Sequence, residues 1–137
     1  MVDIFTKDER SRIMSKIGGK DSAIEMRVRR LLFSLGYRYR LHVATLPGRP
    51  DIVFPGRRKA IFIHGCFWHK HEGCKRSALP EQNADFWQNK INKNMTRDQL
   101  SQSQLSELGW RVLVIWGCEV RSDTSALEIK LREFLEG

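Results

Sequence analysis

Residues 37–65 read YRYRLHVATLPGRPDIVFPGRRKAIFIHG. They contain two short apolar runs, Ile52 to Phe54 and Ala60 to Ile63, with Pro55-Gly56 between them and Pro47-Gly48 ahead of the first. Apolar runs of this length, bounded by turn residues, predict strands buried on both faces. The stretch therefore reads as strand, turn, strand, and the rest of the chain is arranged around it.

Upstream, DSAIEMRVRRLLFSLG (residues 21–36) places Ile24, Val28, Leu31, Leu32 and Leu35 at helical spacing. Ser22 and Glu25 fit a capping-box pattern at its start, and Gly36 ends it. Downstream, a long helix is predicted to begin between Glu81 and Asp85. WRVLVIWGCEV (residues 110–120) reads as another buried strand. TSALEIKLREFLEG (residues 124–137) is an amphipathic helix using Leu127, Leu131, Phe134 and Leu135. Helix, strands, helix, strand, helix predicts an α/β sandwich around a mixed sheet. Residues 1–20 form a separate basic arm or helix, with Ile13, Met14 and Ile17 among lysines and arginines and a break at Gly18-Gly19. Residues 21–137 form one domain.

The chain has 137 residues, 24 lysines and arginines against 16 acids, and a formal net charge of +8. So basic a balance favours a polyanionic partner, nucleic acid above all. No apolar run approaches the roughly 20 residues that span a bilayer, and no signal peptide is evident, which predicts a cytoplasmic protein with no membrane partner. Nothing suggests a dimer interface, so a monomer is expected.

Just after the second strand comes HGCFWHKHEGC, residues 64–74. Cys66, His71 and Cys74 give the spacing C-x4-H-x2-C, and Cys118 follows the RVLVIW strand, where a neighbouring strand brings it alongside. Three sulfurs and an imidazole form a closed set for structural zinc; the alternative is that the cysteines act as small core residues. The chain has no H-E-x-x-H sequence, which argues against a zinc protease. His64 and His69 remain outside that set. Asp51 opens an otherwise apolar strand, and a buried carboxylate needs a partner or a cation. Either a magnesium site shared with the end of the next strand or pairing with Arg49 or Arg57 satisfies it. Phe67-Trp68 can pack in the core or act as a wedge between bases. Lys90, Lys93, Asn94 and Arg97 make a polar, basic helical stripe.

Taken together, RSRIMSKIGGKDSAIEMRVRRLL, LPGRPDIVFP, IFIHGCFWHKHEGC, FWQNKINKNMTRD and LGWRVLVIWGCEV resemble the successive motifs of the very-short-patch repair (Vsr) DNA mismatch endonucleases, across residues 8–135. The resemblance implies a PD-(D/E)XK-like nuclease fold in which Phe62-Ile63-His64 stands in place of the usual acid-x-Lys. It implies strand-specific nicking of duplex DNA 5′ of the T in a T·G mismatch left by deamination of 5-methylcytosine. A functional link to a DNA cytosine-5 methyltransferase, and downstream repair proteins, follow from the same likeness, as does work at the bacterial nucleoid. By position, Asp51 and the backbone carbonyl of Ile63 would hold magnesium. His69 would be the general base or orient the attacking water, with His64 assisting at the phosphate and Glu25 a further acidic member. Phe67, Trp68 and Met14 would wedge at the mismatch, and Lys90 and Asn94 would contact DNA beside it. Two rivals from other classes are a non-catalytic zinc-stabilised DNA-binding module and an RNA-binding zinc protein.

Overall fold

The computed structural model describes residues 19–66, 69, 71, 74, 78, 79 and 81–137, and nothing of the side chains of 19–22. Met14, Phe67 and Trp68 lie outside the described residues, as does most of the expected arm.

The stretch at 37–65 forms the centre of the sheet. β1 (Arg40–Leu41), β2 (Ile52–Phe54) and β3 (Lys59–His64) run antiparallel in turn. β2 and β3 are joined by a 3-10 turn at Pro55–Arg57, with Arg58 in the left-handed region. β4 (Arg111–Trp116) lies parallel on the other side of β3, in register from Lys59 opposite Arg111 to His64 opposite Trp116. The order is β1-β2-β3-β4, a mixed sheet as the sequence predicts. β3 therefore has a strand on each edge and a layer on each face, which is why all six of its residues are buried and why it reads as an unbroken apolar run.

Alternation along β3 sends its side chains to opposite layers. Ile61 and Ile63 join Ile52, Phe54 and Ile115 in one cluster with Ile24, Val28 and Leu32 of α1 (Gly19–Ser34). Val120 of α3 (Gly117–Ser122) and Leu127, Leu131 and Leu135 of α4 (Thr124–Glu136) complete it. Each fully buried leucine here contributes about 2 kcal/mol by removal from water. Phe62 and His64 face the other layer, formed by α2 (Ala84–Glu107) with Ile91, Ser101 and Leu105 buried. Gly48 closes that side: at φ +75°, an added Cβ would stand 2.6 Å from Ser101 and 3.2 Å from Phe62, so the PG turn is held by steric need as well as by its φ.

α1 ends as the sequence predicts. Gly36 takes φ +95°, its N–H donates to the Phe33 carbonyl, and the Tyr37 N–H reaches back to Leu32, the paired bonds of a Schellman stop. The start differs. The helix is already formed at Gly19, and the Glu25 carboxylate turns to Arg29 and His42, so the Ser22–Glu25 capping box does not mark the first turn. The second difference is at residues 117–120, which turn into α3 where a strand was expected. β3 ends at His64 opposite Trp116, so among the described residues the chain beyond has no strand to pair with. Gly117 passes so close to Ile24 that an added Cβ would lie 2.8 Å from it. Asp123 then caps α4 by accepting from the N–H groups of Ser125 and Ala126. Among the described residues, no helix is long and apolar enough to cross a membrane.

Candidate active site and metal centre

Beyond His64 the chain folds back on itself through three main-chain bonds. His69 N–H donates to Gly65, His71 N–H to Cys66, and Cys74 N–H to His71. Two residues past the His64–Trp116 pair stand Cys66 and Cys118, so the parallel register itself brings these distant sulfurs together. Cys66 Sγ and Cys118 Sγ lie 3.7 and 3.3 Å from His71 Nδ1. The ligand atoms of Cys66, His71, Cys74 and Cys118 all fall within 4.8 Å of one another, and all three thiols are free of disulfides. The His71 ring stacks on Trp116 at 4.3 Å and 10°, which fixes its nitrogen toward the sulfurs. Burial, together with hydrogen bonds to the other cysteines, pushes the Cys66 thiol up to about 11, so a thiolate here needs a cation. Three soft thiolate sulfurs and one imidazole nitrogen, all convergent, fit a tetrahedral metal.

The second cluster lies on the α2 side of the same strand end. The His64 and His69 rings stack at 3.9 Å with an interplanar angle of 7°, and Trp116 meets His64 edge-on. His69 Nδ1 stands 2.6 Å from Asp98 Oδ2, while His64 Nε2 is 3.9 Å from the other oxygen. Asp98 sits on α2, two turns beyond Lys90 and one beyond Asn94 at i, i+4 and i+8, so the three follow one ridge of the helix. Burial, and secondly the His69 charge, push the pKa of His64 down to about 4. His64 is therefore neutral at neutral pH. Both histidines, Asp98, His71 and Trp116 line an open cleft of about 440 Å³.

The third cluster is at the β2 edge. Asp51 Oδ2 accepts from the Ile63 N–H at 2.7 Å. Burial pushes the Asp51 carboxyl up to about 6, against the pull of that N–H, and the neighbouring Glu25 adds to the rise. Glu25 accepts from Arg29 and lies 3.2 Å from His42 Nε2, and His42 Nδ1 lies 3.8 Å from Asp51. Arg57, one of the partners considered for Asp51, is turned instead to the Leu135 carbonyl and Glu136.

The structure thus gathers Asp51 with Glu25, His64 with His69, and the four cage residues, all at one end of β3. Asp51 grips the main chain of Ile63, and the next residue, His64, belongs to the second cluster. Sequence reasoning missed three members. Asp98 was one step beyond the stripe at Lys90, Asn94 and Arg97, and the i+4 spacing from Asn94 would have found it. His42 carried no spacing signal, and Trp116 read only as a strand residue.

Ligands of α/β proteins bind beyond the carboxyl ends of the strands, and these clusters sit at the carboxyl ends of the parallel pair β3 and β4. The fold and site define an α/β enzyme with metal-capable donors and an imidazole–carboxylate pair at the end of its central strand. The model of the family described as DNA mismatch endonuclease Vsr matches residues 2–76. The chain is 44% identical over 136 residues to the DNA mismatch endonuclease Vsr of Escherichia coli (strain K12), covering 99% of this chain and 86% of that protein. It is 48% identical over 136 residues to the type II nicking enzyme V.XorIIP of Xanthomonas oryzae pv. oryzae, covering 99% and 98%. A third relative, the type II nicking enzyme V.NmeAIP of Neisseria meningitidis, is 43% identical over 122 residues, covering 89% and 86%. The chain belongs to the Vsr family, and it is a DNA endonuclease.

Proposed function

We propose that this endonuclease nicks one strand of duplex DNA 5′ of the T in a T·G mismatch, using magnesium at Asp51 and the Ile63 carbonyl. The observation that carries the reading is the Asp51–Ile63 contact beside the His69–Asp98 pair. In an extended strand the N–H and C=O of one residue leave on the same side. The Ile63 N–H meets Asp51, so its carbonyl faces the same edge, and an oxygen pair of this kind suits magnesium. When bound, the ion supplies charge at the phosphoryl oxygen and the leaving 3′ oxygen.

The chain's own residues do the rest. With its Nδ1 proton donated to Asp98, His69 presents Nε2 as the base that takes the proton from water. His64, kept neutral by burial, adds no charge against the developing imidazolium and meets the phosphate as an uncharged donor. Glu25 shapes the field at Asp51. Cys66, His71, Cys74 and Cys118 would hold zinc, which would tie the loop carrying His69 to the start of α3 as a structural rather than a catalytic ion. The mixed sheet, with Asp51 immediately before β2 and Phe62-Ile63-His64 at the end of β3, supports the PD-(D/E)XK-like assignment.

Selection of the mismatch is assigned to Phe67 and Trp68 as a wedge, with Met14 of the 1–20 arm from the opposite groove, since a T·G pair costs less to unstack than a matched one. Lys90 and Asn94, on the ridge that leads to Asp98, contact the DNA beside it. The enzyme works as a monomer in the bacterial cytoplasm at the nucleoid, with a functional link to a cytosine-5 methyltransferase and with repair proteins acting downstream.

The test is a nicking assay on a duplex with one T·G mismatch in a C-T-(A/T)-G-G context, beside the matched duplex and an Asp51→Ala protein. Magnesium-dependent cleavage 5′ of the mismatched T is expected. It should fall by about three orders of magnitude in the variant, the equivalent of about 4 kcal/mol of transition-state stabilisation. Retained mismatch binding with no cleavage, in this and other methylation contexts, would favour a non-catalytic DNA-binding module.

A further inference from the structure

His42 is the one histidine outside residues 64–74, which carry the other three. Its position is fixed by the sheet. β1 pairs Leu41 with Ile52, so the next step of the ladder sets His42 opposite Asp51, and the His42 N–H donates to the Asp51 carbonyl at 3.2 Å. The backbone there takes φ +47°. The imidazole stands between two carboxylates, with Nε2 3.2 Å from Glu25 and Nδ1 3.8 Å from Asp51.

The two nitrogens have different tasks. Nε2 lies 3.2 Å from Glu25 Oε2 and 3.3 Å from Arg29 Nη2; Arg29 already donates to that same Glu25 oxygen, so the Nε2 proton is assigned to the bond with Glu25. That leaves the Nδ1 lone pair on the Asp51 side, at a distance too long for an N–H···O bond. It is a gap that an ion at roughly 2 Å from each atom spans. A carboxylate behind the imidazole and a metal in front is the arrangement that fixes ligating histidines elsewhere. Arg29, bonded to Glu25 from the next turn of α1, offsets the Glu25 charge and holds it in the orienting position.

We propose that His42 is a nitrogen ligand of the Asp51 metal site, oriented by Glu25, and that it sets the ion preference of the site toward cobalt-like divalent ions. The inference rests on the reading that Asp51 holds a divalent ion. Magnesium favours oxygen donors and gives up water reluctantly, whereas imidazole favours later first-row metals. Glu25 is on this account a positioning residue.

The experiment is calorimetric titration of the zinc-saturated full chain with Co2+ and, separately, Mg2+. Near-ultraviolet absorption monitors thiolate-to-cobalt charge transfer, so that cobalt entering the cysteine cage is recognised and excluded. The unaltered chain should bind Co2+ more tightly than Mg2+. His42→Gln should weaken Co2+ by about tenfold or more and Mg2+ by less than about threefold, with Glu25→Gln shifting Co2+ in the same direction. His42 is half exposed, so the fold tolerates the change, and zinc content checks it. In the unaltered protein, nitrogen NMR should show His42 with an unprotonated Nδ1 whose signal Co2+ broadens at the first equivalents. Equal weakening of both ions, or none, in His42→Gln while Asp51→Asn abolishes binding would overturn the role of His42 and leave the Asp51 reading intact. Unchanged binding in Asp51→Asn would sink that reading, and His42 with it.

Discussion

β3 buries a basic side chain at each end, and the two ends are treated differently. At the first, Lys59 Nζ donates to the carbonyls of Phe134, Leu135 and Gly137 at 2.7 to 3.1 Å. It closes the C-terminal end of α4, where unpaired carbonyls and the helix dipole favour a cation. At the last, His64 is just as buried, yet its closest carboxylate oxygen is 3.9 Å away and its contacts are the flat faces and edges of His69, Phe62 and Trp116. One end is completed by the chain's own carbonyls. The other leaves carboxylates, imidazoles and thiols facing one another, a set that on the proposed reading a cation and a phosphate would complete. The first arrangement serves stability; the second is the one to which the chemistry is assigned.

The comparison can be broken in several ways, beginning with the largest effect. Stripping metal from the cage with a chelator should lower the melting temperature by about 10 °C or more, because metal binding free energy becomes folding free energy. Calorimetry with parallel zinc analysis measures this, and unchanged melting on loss of zinc would remove the cage from the account.

The active end should also govern how stability varies with pH. His64 has its pKa depressed to about 4 in the fold, against about 6.5 unfolded. Its contribution is present above pH 6.5 and lost as pH falls toward 4. Asp51 has its pKa raised to about 6, against about 3.9 unfolded. It keeps its proton in the fold, so it favours the folded state below about pH 4, and that benefit is lost as pH rises to 6. The two slopes oppose each other and nearly cancel between pH 4 and 6. Asp51→Asn, in buffer without added magnesium, should unmask the His64 slope, about 3 kcal/mol across the window. Urea unfolding at several pH values reads it; a flat profile in the variant would show that His64 is not held neutral by burial.

Asp98→Asn should lower the nicking rate by about a hundredfold, with little change in melting temperature, since it alters the hydrogen bond behind His69 rather than the packing. Single-turnover kinetics separates this from weaker DNA binding. The smallest expected effect is at the other end of the strand. Lys59→Met should cost about 2 kcal/mol of stability, from three lost charge-assisted bonds, and leave single-turnover nicking at permissive temperature unchanged. A large rate loss in Lys59→Met would mean that the two ends of β3 are coupled.

The sequence by itself determined most of the elements and singled out most of the residues that the fold gathers at the end of β3. Turn residues around Ile52–Phe54 and Ala60–Ile63, helical spacing in Ile24 to Leu35 and the C-x4-H-x2-C loop are local signals, and local signals are written in consecutive residues. It also determined the family, because the Vsr-like motifs occur in order along nearly the whole chain. Residues 117–120 were misread because Cys118 and Val120 continue the run of RVLVIW at alternate positions, and among the described residues no strand lies beyond His64 for them to pair with. The partnerships were decided by tertiary structure alone. Cys118 meets Cys66 because β4 lies parallel to β3 in one particular register, and Asp98 meets His69 because α2 packs on one face of the sheet. His42 meets Asp51 because β1 pairs with β2. Each of these contacts joins residues 9 to 52 positions apart, and no local pattern specifies which strand lies beside which or which face a helix covers. Burial of the apolar faces makes that choice, and it sets the distances on which the chemistry depends.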